Sequence, residues 1–174
     1  CILAVFVFIG SMLYGETSSK AVIDDVEEAV ASAMDLSGME KTSNRMIKRL
    51  YGLNANDYEG AVLYISTFNM DVEELLIVKL KDKSQGETVR AAAEQRKETQ
   101  LTNFDGYGVE QCKLLNDSVL DVRGNYVLFV VSPDAKEAED IFHSENSFSV
   151  RTAEREHTYK INCAAERNKK DDIQ

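Results

Sequence analysis

With 174 residues and 44% of them hydrophobic, the chain has the material for one ordinary domain with a real core, plus some appended sequence. Thirty acidic against 20 basic residues give a net charge of −10, a field that repels phosphate backbones and anionic lipid; this argues against nucleic acid as a partner and confines membrane contact to the N-terminal segment. The three cysteines, Cys1, Cys112 and Cys163, form no C-x-x-C pair, so neither a zinc ribbon nor a thioredoxin-type redox site is available.

The first fifteen residues carry no charge, and seven of the first nine are Ile, Leu, Val or Phe. The run suits the apolar core of a signal peptide; a full membrane span needs about 20 apolar residues, so the remainder of an anchor helix is the other reading. A buried first strand fits less well, because polar residues begin abruptly at Glu16. Leu13-Tyr14-Gly15 matches a signal-peptidase site poorly, and Cys1 precedes the apolar run, whereas a lipidated cysteine follows one. The expected location is extracytoplasmic, secreted or anchored at the cell surface. Residues 1–15 are then a leader, 16–143 an α+β domain and 144–174 a polar tail. The domain carries 24 acids and 14 bases, the tail 6 of each.

In chain order, Ile23, Val26, Val30, Ala33 and Met34 recur at helical spacing, with Asp24, Asp25, Glu27 and Glu28 early in the helix, which should end near Gly38. A second helix is expected from Thr42 to Tyr51, closed by Gly52. Ala61–Thr67 and Val72–Leu80 read as a β-hairpin. The Ala-, Glu- and Arg-rich stretch from Glu87 to Leu101 reads as a surface helix packed on a narrow face. Lys113–Val122 and Tyr126–Val131 read as a second hairpin around Arg123-Gly124-Asn125. Ser132-Pro133-Asp134 then opens a helix reaching Phe142. The expected fold is α+β: a four-stranded, mostly antiparallel sheet in the order β-β-α-β-β-α, with two leading helices and all helices on one face. After Ser144 no sustained period survives, and the tail reads as largely disordered.

Several stretches together resemble a known family. They are Asp57-Tyr58-Glu59 ahead of the first strand, the run Asn69 to Lys79, Arg96 and Gln100 on the middle helix, Gly124-Asn125-Tyr126-Val127, and Ala138-Glu139-Asp140-Ile141-Phe142. Across Ala21 to Phe142 the chain is similar to domain of unknown function 4358. The resemblance implies a secreted or lipid-anchored protein of a Gram-positive bacterium, and it implies no activity. The lipidation cysteine of anchored members has no counterpart at the end of this leader, and the tail after His143 has none in the family.

Residue types capable of chemistry are sparse. His143 and His157 are the only histidines, one at a helix end and one in the tail, and neither stands as a base for a serine or cysteine nucleophile. There is no D-x-D-x-D-G loop and no H-x-x-x-H pair, and Gly106-x-Gly108 lacks the strand and helix of a phosphate cradle, so no metal or cofactor is implied. Asn116-Asp117-Ser118 matches a glycosylation sequon that carries little information. Cys112 and Cys163 are expected as unpaired thiols, with a disulfide between them as the alternative. The remaining candidate group is Glu74, Lys79, Arg96 and Gln100, which could meet at a sheet–helix margin and bind a small anionic or peptide ligand. Against that, Arg96 and Gln100 stand one helical turn apart and Lys79 could simply lie on a strand's solvent face. The function expected is an extracytoplasmic binding or accessory domain for an envelope component or small ligand. The alternative is a carboxylate-based hydrolase of the cell envelope.

Overall fold

The computed structural model describes residues 23–145. The expected leader, Cys1, Cys163 with its candidate disulfide, and the expected tail beyond residue 145 lie outside the described residues.

The elements are α1 (Ile23–Ser32), β1 (Met39–Lys41), α2 (Asn44–Tyr51), β2 (Gly60–Ser66), β3 (Glu74–Lys79), α3 (Gly86–Phe104), α4 (Val109–Asn116), β4 (Val119–Arg123), β5 (Tyr126–Val131) and α5 over 135–145. One sheet runs in the order β1-β2-β3-β5-β4, every neighbouring pair antiparallel. The α+β class and the two hairpins agree with the sequence reading. The strand count does not: there are five strands, not four. The extra one, Met39-Glu40-Lys41, is too short and polar to announce itself by alternation. Its place comes from pairing with Tyr64–Ser66, continued by the Thr42 amide donating to the Leu63 carbonyl at 2.8 Å.

A second correction concerns Lys113–Val122, expected as one strand. Residues 109–116 are helical instead, with Leu115 buried and Cys112 and Leu114 half-buried against the core, and β4 begins only at Val119. Spacing of three residues from Cys112 to Leu115 is a helical step, and Asn116-Asp117-Ser118 is the turn that divides helix from strand.

The third correction concerns layering, because helices cover both faces of the sheet rather than one. Every residue of β3 and β5 is buried, and strands read as unbroken apolar runs when both faces are covered. On one face Leu76, Val78, Val127, Phe129 and Val131 pack with Ile47 and Tyr51 of α2, Val89 and Ala93 of α3 and Leu115 of α4. On the other, Leu75, Ile77, Tyr126, Leu128 and Val130 pack with Val26 and Val30 of α1, Met34, and Ala135, Ala138 and Phe142 at the C-terminal end. The two leading helices therefore sit on opposite faces. The β1 segment between them carries the chain around the sheet edge.

Local signals closed several elements where the sequence placed them, although α1 stops at Ser32 rather than near Gly38. Gly52 ends α2 at φ 71° and its amide reaches back to the Lys48 carbonyl, while Gly124 turns β4 into β5 at φ 63°. Both angles lie in the left-handed region that costs other residues conformational energy. At the start of α5 the Ser132 hydroxyl accepts from the Asp134 amide at 3.1 Å, as a capping serine does.

Candidate functional site

Strand β3 begins at Glu74 and ends at Lys79, and side chains along a strand alternate between faces. Five residues is an odd step. Glu74 therefore points toward α2 and α3, whereas Lys79 points to the opposite face, and the two cannot belong to one site.

Glu74 is 2% exposed. Its Oε1 accepts from the Tyr51 hydroxyl at 2.5 Å, and the Arg96 guanidinium reaches it through Nε at 3.1 Å and Nη2 at 3.0 Å on Oε2. Tyr51 arrives as the last residue of α2 and Arg96 from the middle of α3, so one carboxylate ties both helices to the sheet. Charge-assisted bonds of this kind are about twice as strong as neutral ones. The arginine thus turns to Glu74 rather than to Gln100. Gln100 lies a turn further along α3, half-buried, and among the described residues it makes no hydrogen bond to Arg96 or Glu74.

Lys79 is 6% exposed, so it is not on a solvent face. Its Nζ pairs with Glu59 Oε1 at 2.7 Å and stands 5.7 Å from the centre of the Tyr126 ring, a cation–π arrangement. Of the four candidates, then, Glu74 and Arg96 are brought together, Gln100 is adjacent, and Lys79 stands apart.

A second group of the same composition escaped the sequence reading. Glu27 of α1 is 8% exposed and accepts from the Tyr64 hydroxyl at 2.6 Å and from Lys41 Nζ at 2.6 and 2.8 Å. One signal was present: Glu27 stands next to Val26 and three residues before Val30, at the border of the buried stripe of α1. Each face of the sheet thus holds a tyrosine–glutamate–cation group that joins a helix to a strand.

Burial, followed by the charge of Glu74 and the hydrogen bond to it, holds the Tyr51 hydroxyl well above the ordinary phenol value of 10. Burial and the bond to Glu27 push Tyr64 up to about 12. In the unfolded chain both ionise at the ordinary value, so the folded state holds more protons above it. Stability from these groups is therefore untouched below pH 10 and falls as pH rises from 10 through 12. In an alkaline titration, the phenolate absorbance of these two tyrosines should appear together with loss of the circular dichroism of the fold. Full ionisation with the fold intact would contradict this account.

Shallow grooves lie elsewhere: about 460 Å³ beside the outer edge of β2, about 550 Å³ beside Glu27, Lys41 and Tyr64, and about 510 Å³ around the α3–α4 turn. Among the described residues no group of three His, Cys, Asp or Glu is arranged to hold a metal ion. His143 Nε2 lies 2.9 Å from Asp121 Oδ2, a surface pair linking α5 to β4.

The strand order, the Tyr51–Glu74–Arg96 tie and the glycine turns all fall within residues 32–132, and that stretch matches a family model described as Domain of unknown function (DUF4358). The chain belongs to the DUF4358 family. The matched segment of this DUF4358 protein takes in the whole sheet together with α2, α3 and α4, while α5 and nearly all of α1 fall outside it. No curated protein and no solved structure matches the chain.

Proposed function

We propose that this DUF4358 domain is a non-catalytic extracytoplasmic module that binds a component of the cell envelope. One observation carries the reading. The buried charges, Glu27, Glu74 and Lys79, are all paired internally, whereas large apolar side chains stand in solvent at one end of the sheet. Phe68 and Met70, in the β2–β3 hairpin, are 67% and 61% exposed, and Tyr107 and Val109, at the α3–α4 turn, are 63% and 76% exposed. Gln111 Nε2 donates to the Met70 carbonyl at 3.1 Å and joins the two segments. Apolar side chains grouped in solvent mark contact surface.

The uncharged run over residues 1–15 supports export, and no helix among the described residues is long and apolar enough to cross a membrane. In this reading attachment therefore rests on the N-terminal segment. Glu74, Arg96 and Lys79 serve to hold helices and loops on the sheet, and Gln100 lies beside them, rather than the four holding a ligand. The buried carboxylates Glu27 and Glu74 do not form the pair that the hydrolase alternative needs: they stand on opposite faces, each already engaged by a tyrosine and a cation.

The test is location together with turnover. The full chain, tagged at its C-terminus and expressed in a Gram-positive host, should carry a tag that protease removes from intact cells, and the purified protein should not hydrolyse ester, phosphate or glycoside chromogens. A protected, cytosolic tag would overturn the reading. So would hydrolysis that Glu74→Gln abolishes in a variant that still folds.

A further inference from the structure

The hairpin end is as distinctive in charge as in exposure. Its loops and the first turn of α4, residues 35–38, 67–73, 105–111 and 132–134, hold Asp35, Asp71, Glu73, Asp105, Glu110 and Asp134 with no lysine, arginine or histidine among them. Four of these acids are neighbours in space. The Asp35 amide donates to Asp134 Oδ2 at 3.2 Å, and burial together with the charges of Asp71, Asp35 and Asp134 raises the Glu73 carboxyl above its ordinary value. Asp105 and Glu110 flank Tyr107 and Val109, and both are exposed. Exposed apolar side chains thus share this end of the domain with a surplus of negative charge, to which Lys113, lining the groove around Tyr107 and Val109, is a partial counterweight. Like charges held together this way repel one another, and a cation placed against them relieves that repulsion.

We propose that this end of the domain docks a basic, apolar segment of a partner polypeptide, its lysine or arginine side chains against the acidic border and its apolar side chains on the ridge of Phe68, Met70 and Val109. The assignment rests on the binding-module reading above and adds the chemistry of the partner to it. Anionic lipid and a second copy of the same acidic face are disfavoured by the same charge. The apolar ridge gives affinity, and the border gives orientation and rate.

The experiment uses the full chain and three labelled peptides of equal length: a repeat of Lys-Leu-Leu, its Glu-Leu-Leu counterpart, and oligolysine. The Lys-Leu-Leu peptide should bind, with an affinity that falls as salt is added, and the Glu-Leu-Leu peptide should not. In the double variants Phe68→Ser with Val109→Ser, and Glu73→Gln with Glu110→Gln, its Kd should rise at least about tenfold. Phe68 and Val109 are exposed, so thermal stability should stay as it was; if the Glu73 substitution disturbs the fold, Asp105→Asn with Glu110→Asn removes charge from exposed positions instead. Oligolysine binding as tightly as the amphipathic peptide would reduce the effect to net charge and overturn the proposal. Absence of binding, or binding that both double variants leave intact, would overturn it too. A concentration-dependent dimer lost in the Phe68→Ser, Val109→Ser variant would assign the face to a second copy and overturn it as well. A cytosolic location of the tagged chain sinks the underlying reading whatever the peptides do, whereas surface location without peptide binding sinks the docking assignment alone.

Discussion

A chain cut back to residues 32–132, the stretch shared with the DUF4358 family, should be insoluble, or should refold without a cooperative thermal transition. The reason lies in the double-sided sheet. Leu75, Ile77, Tyr126, Leu128 and Val130 form one of its faces, and most of the buried residues that cover them come from α1 and from the segment after Pro133, namely Val26, Val30, Ala135, Ala138 and Phe142, with Met34 remaining in the fragment. At about 1.5–3 kcal/mol for each large side chain kept from water, stripping this face costs on the order of 10 kcal/mol, which is comparable to the 5–15 kcal/mol that holds an ordinary domain together. Phe142 matters most at the C-terminal end, being fully buried with its ring edge-on to Tyr126 at 6.4 Å. Differential scanning calorimetry of 32–132 against 23–145 is the measurement. A sharp transition in the shorter fragment would mean that the sheet needs only one helical layer.

The second large effect is expected at the Tyr51–Glu74–Arg96 tie. Arg96→Leu leaves an almost fully buried carboxylate without its cation, and losing one partner of a buried ion pair costs about 3–5 kcal/mol, which in a domain of this size lowers Tm by roughly 10 °C or more. Replacing both charges, Glu74→Leu with Arg96→Leu, should restore only part of that stability, because the two apolar side chains need no partner but the buried Tyr51 hydroxyl loses its acceptor. Urea unfolding of the single and double variants separates the cases. A single variant that loses less than about 1 kcal/mol would place this pair in the class of weak surface bridges.

Most of the elements were legible in the residues, and the failures are physical rather than random. Hairpins, glycine caps and the serine-proline-aspartate start were local matters, and local chemistry decided them. β1 was invisible because three residues carry no period, and only its partner β2 makes them a strand. The 109–116 helix was mistaken because a short apolar run fits strand and helix equally, and its length decides little. The sidedness of the sheet was in fact readable: Tyr126–Val131 is uniformly apolar, and strands buried on both faces require helices on both. Within the candidate group, the opposite facing of Glu74 and Lys79 followed from their odd separation, while the pairing of Glu74 with Arg96 depends on how α3 lies across the sheet. Glu27 was hidden because its partners, Lys41 and Tyr64, come from two other elements.

Placing β5 between β3 and β4 also has a consequence for the order of events as the chain emerges N-terminus first. β2 and β3 can zip together as soon as both are made, but the other edge of β3 waits through α3, α4 and β4, a delay of about 50 residues, before Tyr126–Val131 arrives to pair with it. During that interval the most apolar strand made so far stands with one edge unpaired. The nascent domain is most prone to aggregate at that point, before its sheet is closed.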